Sequence, residues 1–391
     1  MARRRVVRTA GIGVGLTTVL ASAAATATVV LFARTIVAPP TRRAEPERVH
    51  GVDLDGGELR LRASDETRMR GRYGFAFDHE RGYAQLGDVI EERGHEVVRS
   101  IISVVSGDLT RARHGRMVGT FYRAPHELGL PFERVQVSTE CGLAPAWFFP
   151  AATSTSRWII QVHGRAAERS DTLRAVPPAH EVGWNSLVVS YRNDGEAPRS
   201  SDGRYGLGST EWPDVAAAVA FALERGASSI VLMGWSMGGA IVLQAVLRDP
   251  AVSERLVGII LESAALDWRD ILRYQARMRR LPGFLGSAVA STIGAPVPAL
   301  TGLADPINVG ALNAAECADQ LTVPILLLHS EDDGFVPIGG ARRLAAARPD
   351  LVDFQVFTRA RHAKLANDDP ARWERLIREW LRARASDAEP V

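Results

Sequence analysis

Residues 229–239 read Ser-Ile-Val-Leu-Met-Gly-Trp-Ser-Met-Gly-Gly, and this stretch decides the fold. Its apolar opening predicts a buried strand, and the run Ala240–Arg248 that follows predicts a helix. Between them Gly234 and Gly238 flank Ser236 in a G-x-S-x-G pattern. The bare pattern arises by chance in many chains, but a strand before it and a helix after it are what a sharp turn presenting a serine hydroxyl requires. We therefore expect Ser236 to be a nucleophile.

The same alternation of strand and helix extends on both sides of this turn, from Pro131 to about residue 385. Apolar strand-like runs interleaved with helices predict an α/β fold, a mostly parallel twisted sheet with helices on both faces. The gap between residues 261 and 324 is too long for a plain connection, so we expect an inserted helical cap at about 264–320, with a helix over Trp268–Met278. The predicted strands are 134–139, 144–149, 158–162, 186–190, 229–233, 256–261, 324–329 and 354–357, and the other helices are 213–225, 240–248 and 371–384.

A serine hydroxyl needs an adjacent base to become a good nucleophile, and the base needs an acid that orients it. Among nine histidines, His362 follows the short strand that ends at Phe357. The loops after such strands are where a sheet of this class collects its site. We expect His362 to be the base, and we expect His163 and His329 to have structural roles.

The acid is expected in the segment after the predicted strand 324–329, which reads His-Ser-Glu-Asp-Asp-Gly-Phe-Val-Pro over residues 329–337. This segment resembles the H-G-x-x-D-x-x-V-P acid loop of many α/β-hydrolases, with Ser330 where that pattern usually has glycine. The resemblance implies that Asp333 is the acid, with Asp332 as the alternative. The chain order Ser236, Asp333, His362 is the order of this fold.

Hydrolysis also needs donors for a developing oxyanion. His163-Gly164-Arg165 follows the predicted strand 158–162 and resembles the H-G motif of the same family. The resemblance implies that the backbone N–H groups of Met237 and Arg165 form the oxyanion hole. For the Arg165 side chain, contact with substrate and a plain salt bridge both stay open. The resemblance covers roughly residues 131–385 and is to bacterial esterases, lipases and serine-peptidase-like hydrolases.

The N-terminal part predicts a membrane attachment. A basic start at 1–8 precedes an uncharged run at 9–33, which is long enough to span a bilayer as a helix. We expect a retained transmembrane signal anchor at the cell membrane, with the catalytic domain on the extracytoplasmic side; cleavage and secretion are the alternative. Residues 34–56 look like a linker, and 57–130 like an N-terminal extension with a helix over Val89–Val105.

Composition excludes some classes of function. The net charge of +2 in 391 residues, together with the lack of any RNP-like or zinc-finger pattern, gives no support for nucleic-acid binding. Cys141 and Cys317 are far apart, so we expect two free thiols, with one disulfide in an oxidising compartment as the alternative. No Cys/His cluster indicates a metal and no motif indicates a cofactor, so we expect neither.

The residues together predict a serine hydrolase acting on a small-molecule acyl substrate. Hydrolysis of a carboxylic ester through an acyl-enzyme is the leading expectation, and the apolar composition of the cap favours an apolar acyl group. A peptidase or amidase, or an acyltransferase, would use the same triad, since fold does not fix substrate. A non-catalytic, membrane-tethered binding module is the alternative of a different class.

Overall fold

The computed structural model describes residues 23–40 and 43–386. Residues 23–37 form a helix, α1, that ends just before Pro39 and Pro40. A small β-barrel follows, and the rest is an α/β domain that contains the region around Ser236. The segment predicted as a linker, 34–56, instead carries the last residues of α1 and the first barrel strand.

The barrel consists of six strands, β1 (Glu47–Asp53), β2 (Glu58–Arg62), β3 (Tyr73–Phe77), β4 (Gly82–Arg93), β5 (Glu96–Ser106) and β6 (His114–Val118). They pair antiparallel in the closed order β1-β2-β5-β4-β3-β6. Leu59, Leu61, Phe75 and Leu86 fill the interior. Because the barrel is closed, its strands leave no free edge with unpaired backbone N–H and C=O groups.

The prediction of a helix over Val89–Val105 is wrong. That segment is a hairpin, in which β4 and β5 pair antiparallel around Gly94 at φ 57°. The physical reason is its composition: Val97, Val98 and Ile101 belong to a run of β-branched residues, which pack better on a pleated surface than on a helix. The glycine at the turn supplies the left-handed backbone that the reversal needs.

The α/β domain is built on eight strands, β7 (Glu133–Thr139), β8 (Gly142–Phe149), β9 (Arg157–Val162), β10 (Asn185–Val189), β11 (Ser229–Trp235), β12 (Leu256–Glu262), β13 (Ile325–Ser330) and β14 (Val352–Phe357). Their order is β14-β13-β12-β11-β9-β10-β8-β7. Neighbours from β10 to β14 are parallel, and β8 runs antiparallel to both of its neighbours. The sheet is therefore mixed, with a parallel centre.

Both faces of this sheet are covered by helices. They are α2 (Val176–Glu181), α3 (Trp212–Glu224), α4 (Met237–Arg248), α5 (Pro250–Ser253), α9 (Gly339–Ala347), α10 (Leu365–Asp368) and α11 (Pro370–Ser386), with α6 to α8 in the insertion described next. Along β11, Ile230 and Leu232 face α3 and α4, whereas Val231 and Met233 face α2 and α11. Burial on both faces explains why this strand reads as a continuous apolar run.

The insertion between β12 and β13 contains α6 (Trp268–Met278), α7 (Gly283–Ile293) and α8 (Pro298–Thr301). Its apolar side joins the main core through Leu272 and Val289. Among the hydrogen bonds that hold it to the sheet domain, the Trp268 Nε1–H donates to Leu207 O at 3.0 Å, and the Gln275 amide donates to Phe335 O at 2.7 Å.

The predicted anchor at 9–33 is not supported. Its first part lies outside the described residues, and within residues 23–40 and 43–386 no helix is long and apolar enough to span a bilayer. Its last part belongs to α1, where Val29, Phe32 and Ala33 are buried in the same apolar core as the cap. These side chains therefore pack on protein, which is a second way for an apolar helical face to leave water. Cys141 and Cys317 are both free thiols.

Candidate active site

Ser236 occupies the turn between β11 and α4, with φ 51° and ψ −118°. This backbone conformation is disfavoured for a residue with a side chain, so the surroundings must hold it in place. Both flanking glycines are required by space. A Cβ on Gly234 would come within 2.6 Å of the Gly238 backbone, and one on Gly238 would overlap the carbonyl oxygen of Val162. The G-x-S-x-G spacing is thus what allows strand and helix to approach so closely.

His362 connects Ser236 to Asp333. The His362 ring follows β14, and its Nε2 lies 2.9 Å from Ser236 Oγ. On the other side of the ring, Nδ1 lies 2.8 and 2.9 Å from the two carboxylate oxygens of Asp333. The structure therefore brings the three residues of the predicted triad into one hydrogen-bonded row.

The Asp333 carboxylate is buried at the turn after β13. Its Oδ1 accepts hydrogen bonds from the backbone N–H groups of Val336 at 2.7 Å and Phe335 at 3.1 Å. Burial alone would raise the pKa of Asp333, but the charge and hydrogen bond of His362, together with the Val336 N–H, lower it below its ordinary value. The carboxylate is therefore held ionised, which is the form that orients and stabilises a histidine base.

The neighbouring Asp332 has a different environment. Half of its side chain is exposed, and its carboxylate pairs with the Arg361 guanidinium at 3.2 Å. Of the two adjacent aspartates that the sequence left open, Asp333 is the one in contact with His362.

The loop after β9 lies against Ser236. A Cβ placed on Gly164 would be 3.1 Å from Ser236 Cβ, so the backbone there is close to the nucleophile. Met237 is the first residue of α4, where N–H groups lack helical partners. Within the described part of the chain, neither the Met237 N–H nor the Arg165 N–H donates a hydrogen bond to another group. The Met237 N–H directly follows Ser236 in the chain, and the Arg165 N–H follows Gly164, whose backbone lies against Ser236.

Among the described residues the Arg165 side chain forms no salt bridge, and its contact with substrate stays a prediction. Its guanidinium donates to three backbone carbonyls at the end of α1, those of Thr35, Ile36 and Ala38. These contacts lie about 130 positions away in the chain, so no local pattern could indicate them.

His163 is buried beside the site but does not face Ser236. Its Nδ1 lies 2.9 Å from Gly164 O and its Nε2 3.1 Å from Asp194 Oδ2, so both ring nitrogens have acceptors. Burial lowers the pKa of His163, but the hydrogen bond and charge of Asp194 outweigh it, and the pKa is raised. The Tyr191 ring stacks on the imidazole at 4.3 Å. This arrangement fits the structural role expected for His163, and His329 is likewise buried, donating from Nε2 to Val336 O.

Sequence reasoning missed Glu262, the last residue of β12. Its side chain is fully buried, and Oε2 accepts from the indole N–H groups of Trp235 at 2.9 Å and Trp373 at 2.7 Å. Its backbone oxygen accepts from the Ser236 N–H at 3.0 Å. The sequence did contain a signal for it, an acidic residue at the end of an otherwise apolar strand. A buried carboxylate needs hydrogen-bond donors, so this position indicated a polar network.

Two further residues hold the loop that carries His362. The Ser263 hydroxyl accepts from the Ala363 N–H at 3.2 Å, and the Arg174 guanidinium donates to Ala363 O at 2.9 Å. Arg174 Nη2 also lies 3.9 Å from Glu262. The residue next to the histidine is therefore tied to the strand that supports Ser236. Across residues 23–40 and 43–386 there is no cluster of three or more His, Cys, Asp or Glu that could hold a metal ion.

Comparison with known proteins agrees with this architecture. Residues 157–302 match the family model described as alpha/beta hydrolase fold, and residues 48–118 match one described as a domain of unknown function (DUF8805). No curated protein sequence matches the chain.

Several esterases are similar in structure. One from Pyrococcus furiosus has 17% identity and a TM-score of 0.52, covering 66% of this chain and 94% of its own. Est1E from Butyrivibrio proteoclasticus has 14% identity and a TM-score of 0.48, covering 65% and 99%. The esterase domain of a Rhodothermus marinus protein has 20% identity and a TM-score of 0.46, covering 65% and 99%. With the sheet order and the matched model, the first of these establishes that the domain from β7 to α11 has the α/β-hydrolase fold.

Proposed function

We propose that this protein is a serine hydrolase that cleaves a carboxylic ester through an acyl-enzyme. The observation that carries the proposal is the row Asp333–His362–Ser236, closed by hydrogen bonds at both ends of the imidazole. Available N–H groups at Met237 and Arg165 lie beside the serine. Nucleophile, base, orienting acid and anion donors are the parts that acyl transfer needs, each within reach of the next.

The proposed reaction has two halves. His362 Nε2 takes the proton of Ser236 Oγ as that oxygen attacks the ester carbonyl carbon, and the resulting oxyanion faces the two backbone N–H groups. The C–O bond to the alcohol then breaks, and His362 returns its proton to the leaving oxygen. Water repeats the sequence on the acyl-enzyme, releasing the acid and restoring Ser236.

The proposed acyl group is apolar. The centroids of the Phe335 and His362 rings lie 5.1 Å apart, and the Phe335 backbone oxygen accepts a hydrogen bond from Gln275 of the cap. An aromatic ring beside the base favours an apolar acyl group over a charged one.

The experiment is ester hydrolysis by the full chain, with p-nitrophenyl acetate, butyrate and octanoate and the matching p-nitroanilides. We expect hydrolysis of the esters, faster for butyrate than for a charged succinyl ester, and an initial burst of nitrophenol. Ser236→Ala should abolish it, whereas the control Ser291→Ala, an exposed serine of α7, should not.

Four results would contradict the proposal. Anilides cleaved faster than esters would indicate an amidase, and ester product formed chiefly with an added alcohol would indicate an acyltransferase. Undiminished activity in Ser236→Ala would place the nucleophile on another residue. A wild type without activity would favour a binding module.

A further inference from the structure

The loop beside Ser236, residues 163–167, is held from outside by the N-terminal helix; we call it the oxyanion loop. Arg165 Nε donates to Ile36 O at 2.7 Å, and its Nη2 donates to Thr35 O at 2.5 Å and Ala38 O at 3.0 Å. The last carbonyls of a helix lack partners within it and carry partial negative charge, so a guanidinium is well suited to bind them.

The chain beyond α1 holds the same loop at a second point. Arg43 Nη2 donates to Ala166 O at 2.6 Å, and the Arg43 guanidinium also lies 3.5 Å from Glu80 of the barrel. Ala166 has φ 60°, a left-handed conformation that an alanine adopts only when contacts hold it there. The loop is therefore held at two neighbouring points, the Arg165 side chain and the Ala166 carbonyl.

Helix α1 is itself firmly seated, which makes it a fixed reference for the loop. The Arg34 guanidinium donates to Leu300 O at 2.9 Å and Ala299 O at 2.6 Å in the cap. The Tyr205 N–H donates to Val37 O at 2.8 Å, and the Arg279 guanidinium lies over the Phe32 ring at 4.7 Å. None of these contacts involves Arg165.

We propose that Arg165 is a positioning residue whose guanidinium docks the oxyanion loop on the end of α1, so that the backbone N–H of Arg165 itself is aimed at the substrate oxygen. Helix α1 is then part of the active site, because it fixes the position of an oxyanion donor. The inference rests on the ester hydrolysis proposed above.

A positioning role and a purely structural one differ in what they change. A donor that is displaced by a fraction of an ångström stabilises the transition state less but hardly alters binding of the ester, so kcat falls while KM stays. A boronic acid, which forms a tetrahedral anion on the serine, should lose affinity in parallel with kcat. A side chain that merely stabilises the fold would lower the melting temperature and leave these quantities in the folded protein unchanged.

The test uses the full chain and the variants Arg165→Met, Arg165→Lys and Arg43→Met, with Arg348→Met as control. Arg348 is a suitable control, because its guanidinium also binds backbone carbonyls, those of Ala318 and Leu321, in addition to pairing with Asp350. We expect Arg165→Met to lower kcat about 10- to 100-fold and to change KM by less than about twofold. The affinity for phenylboronic acid should fall by the same factor as kcat. Arg165→Lys should recover part of both, Arg43→Met should show a smaller loss, and Arg348→Met should lower only the melting temperature.

Unchanged kcat and boronate affinity in both Arg165 variants would overturn the inference, and Arg165→Lys alone carries the test if the methionine variant does not fold. A rise in kcat would also overturn it, because α1 would then be obstructing the site. Failure of the proposed function would look different, since the wild type would then hydrolyse no ester.

Discussion

Both carboxylate oxygens of Asp333 lie within 2.9 Å of His362 Nδ1. The preceding aspartate turns outward to an arginine at the surface. A shift of one position in the turn after β13 therefore separates an acid that orients the base from one that makes a solvent-exposed ion pair.

This difference predicts the outcome of replacing each aspartate by asparagine. Asp333→Asn should lower kcat/KM for a p-nitrophenyl ester by about 10³-fold or more, because an amide neither fixes the imidazole tautomer nor stabilises the imidazolium. Asp332→Asn should change it by less than about twofold, since an exposed pair contributes little. A larger loss in Asp332→Asn would mean that the other aspartate orients His362.

The buried pair His163–Asp194 predicts a pH-dependent contribution to stability. The lowered pKa of Asp194 gives stability that is present above about 3.8 and lost as the pH falls through the folded value; the raised pKa of His163 gives stability that is complete below about 6.5 and lost as the pH rises through the folded value. The melting temperature of His163→Gln should therefore fall furthest below that of the wild type between about pH 4 and 6.5. A difference that stays constant from pH 4 to 9 would contradict the ionised pair.

Replacing Glu262 by glutamine should lower the stability of the protein, although the two side chains have nearly the same size. In Glu262→Gln one carboxylate oxygen becomes an NH₂ group facing Arg174, in a site with no exposure. We expect the free energy of unfolding in urea to fall by about 1–3 kcal/mol. Glu331→Gln, which alters a half-exposed pair with Arg342, is the control and should change it by less than about 0.5 kcal/mol. Equal effects would show that the buried contact between Arg174 and Glu262 contributes no more to stability than the half-exposed pair.

The elbow glycines predict a steric effect. Gly238→Ala should lower the free energy of unfolding by about 1–3 kcal/mol and reduce ester hydrolysis, because its Cβ would overlap backbone oxygens of β9 and the oxyanion loop. Gly283→Ala in α7, where a Cβ meets nothing within 4 Å, should be neutral or slightly stabilising. A stable and active Gly238→Ala protein would contradict the close approach of α4 to β9.

The α/β domain could be predicted because its strands are buried on both faces. Runs such as Ser229–Trp235 are therefore continuously apolar, and the glycines mark the turn where strand and helix meet. The barrel could not be predicted in the same way. Ile90 and Ile102 are exposed on its outer surface, which blurs the alternation that a half-buried strand would show.

The contacts of α1 lie beyond what a sequence pattern expresses. An apolar helical face looks alike whether it enters lipid or packs under a cap, and the burial of Phe32 depends on residues hundreds of positions away. The same holds for Arg165, whose backbone was indicated by the motif but whose side chain binds the end of α1. Local patterns predicted which groups are needed, and the long-range contacts that hold those groups became visible only in three dimensions.

Covalent labelling distinguishes Ser236 from every other candidate nucleophile in the chain. The full chain would be treated with a fluorophosphonate and digested, and the modified residue identified by mass spectrometry, alongside His362→Ala and Ser236→Ala. We expect one adduct, on Ser236, formed much more slowly in His362→Ala and absent in Ser236→Ala. An adduct on another residue, or a wild type that stays unlabelled while a control hydrolase reacts, would contradict it.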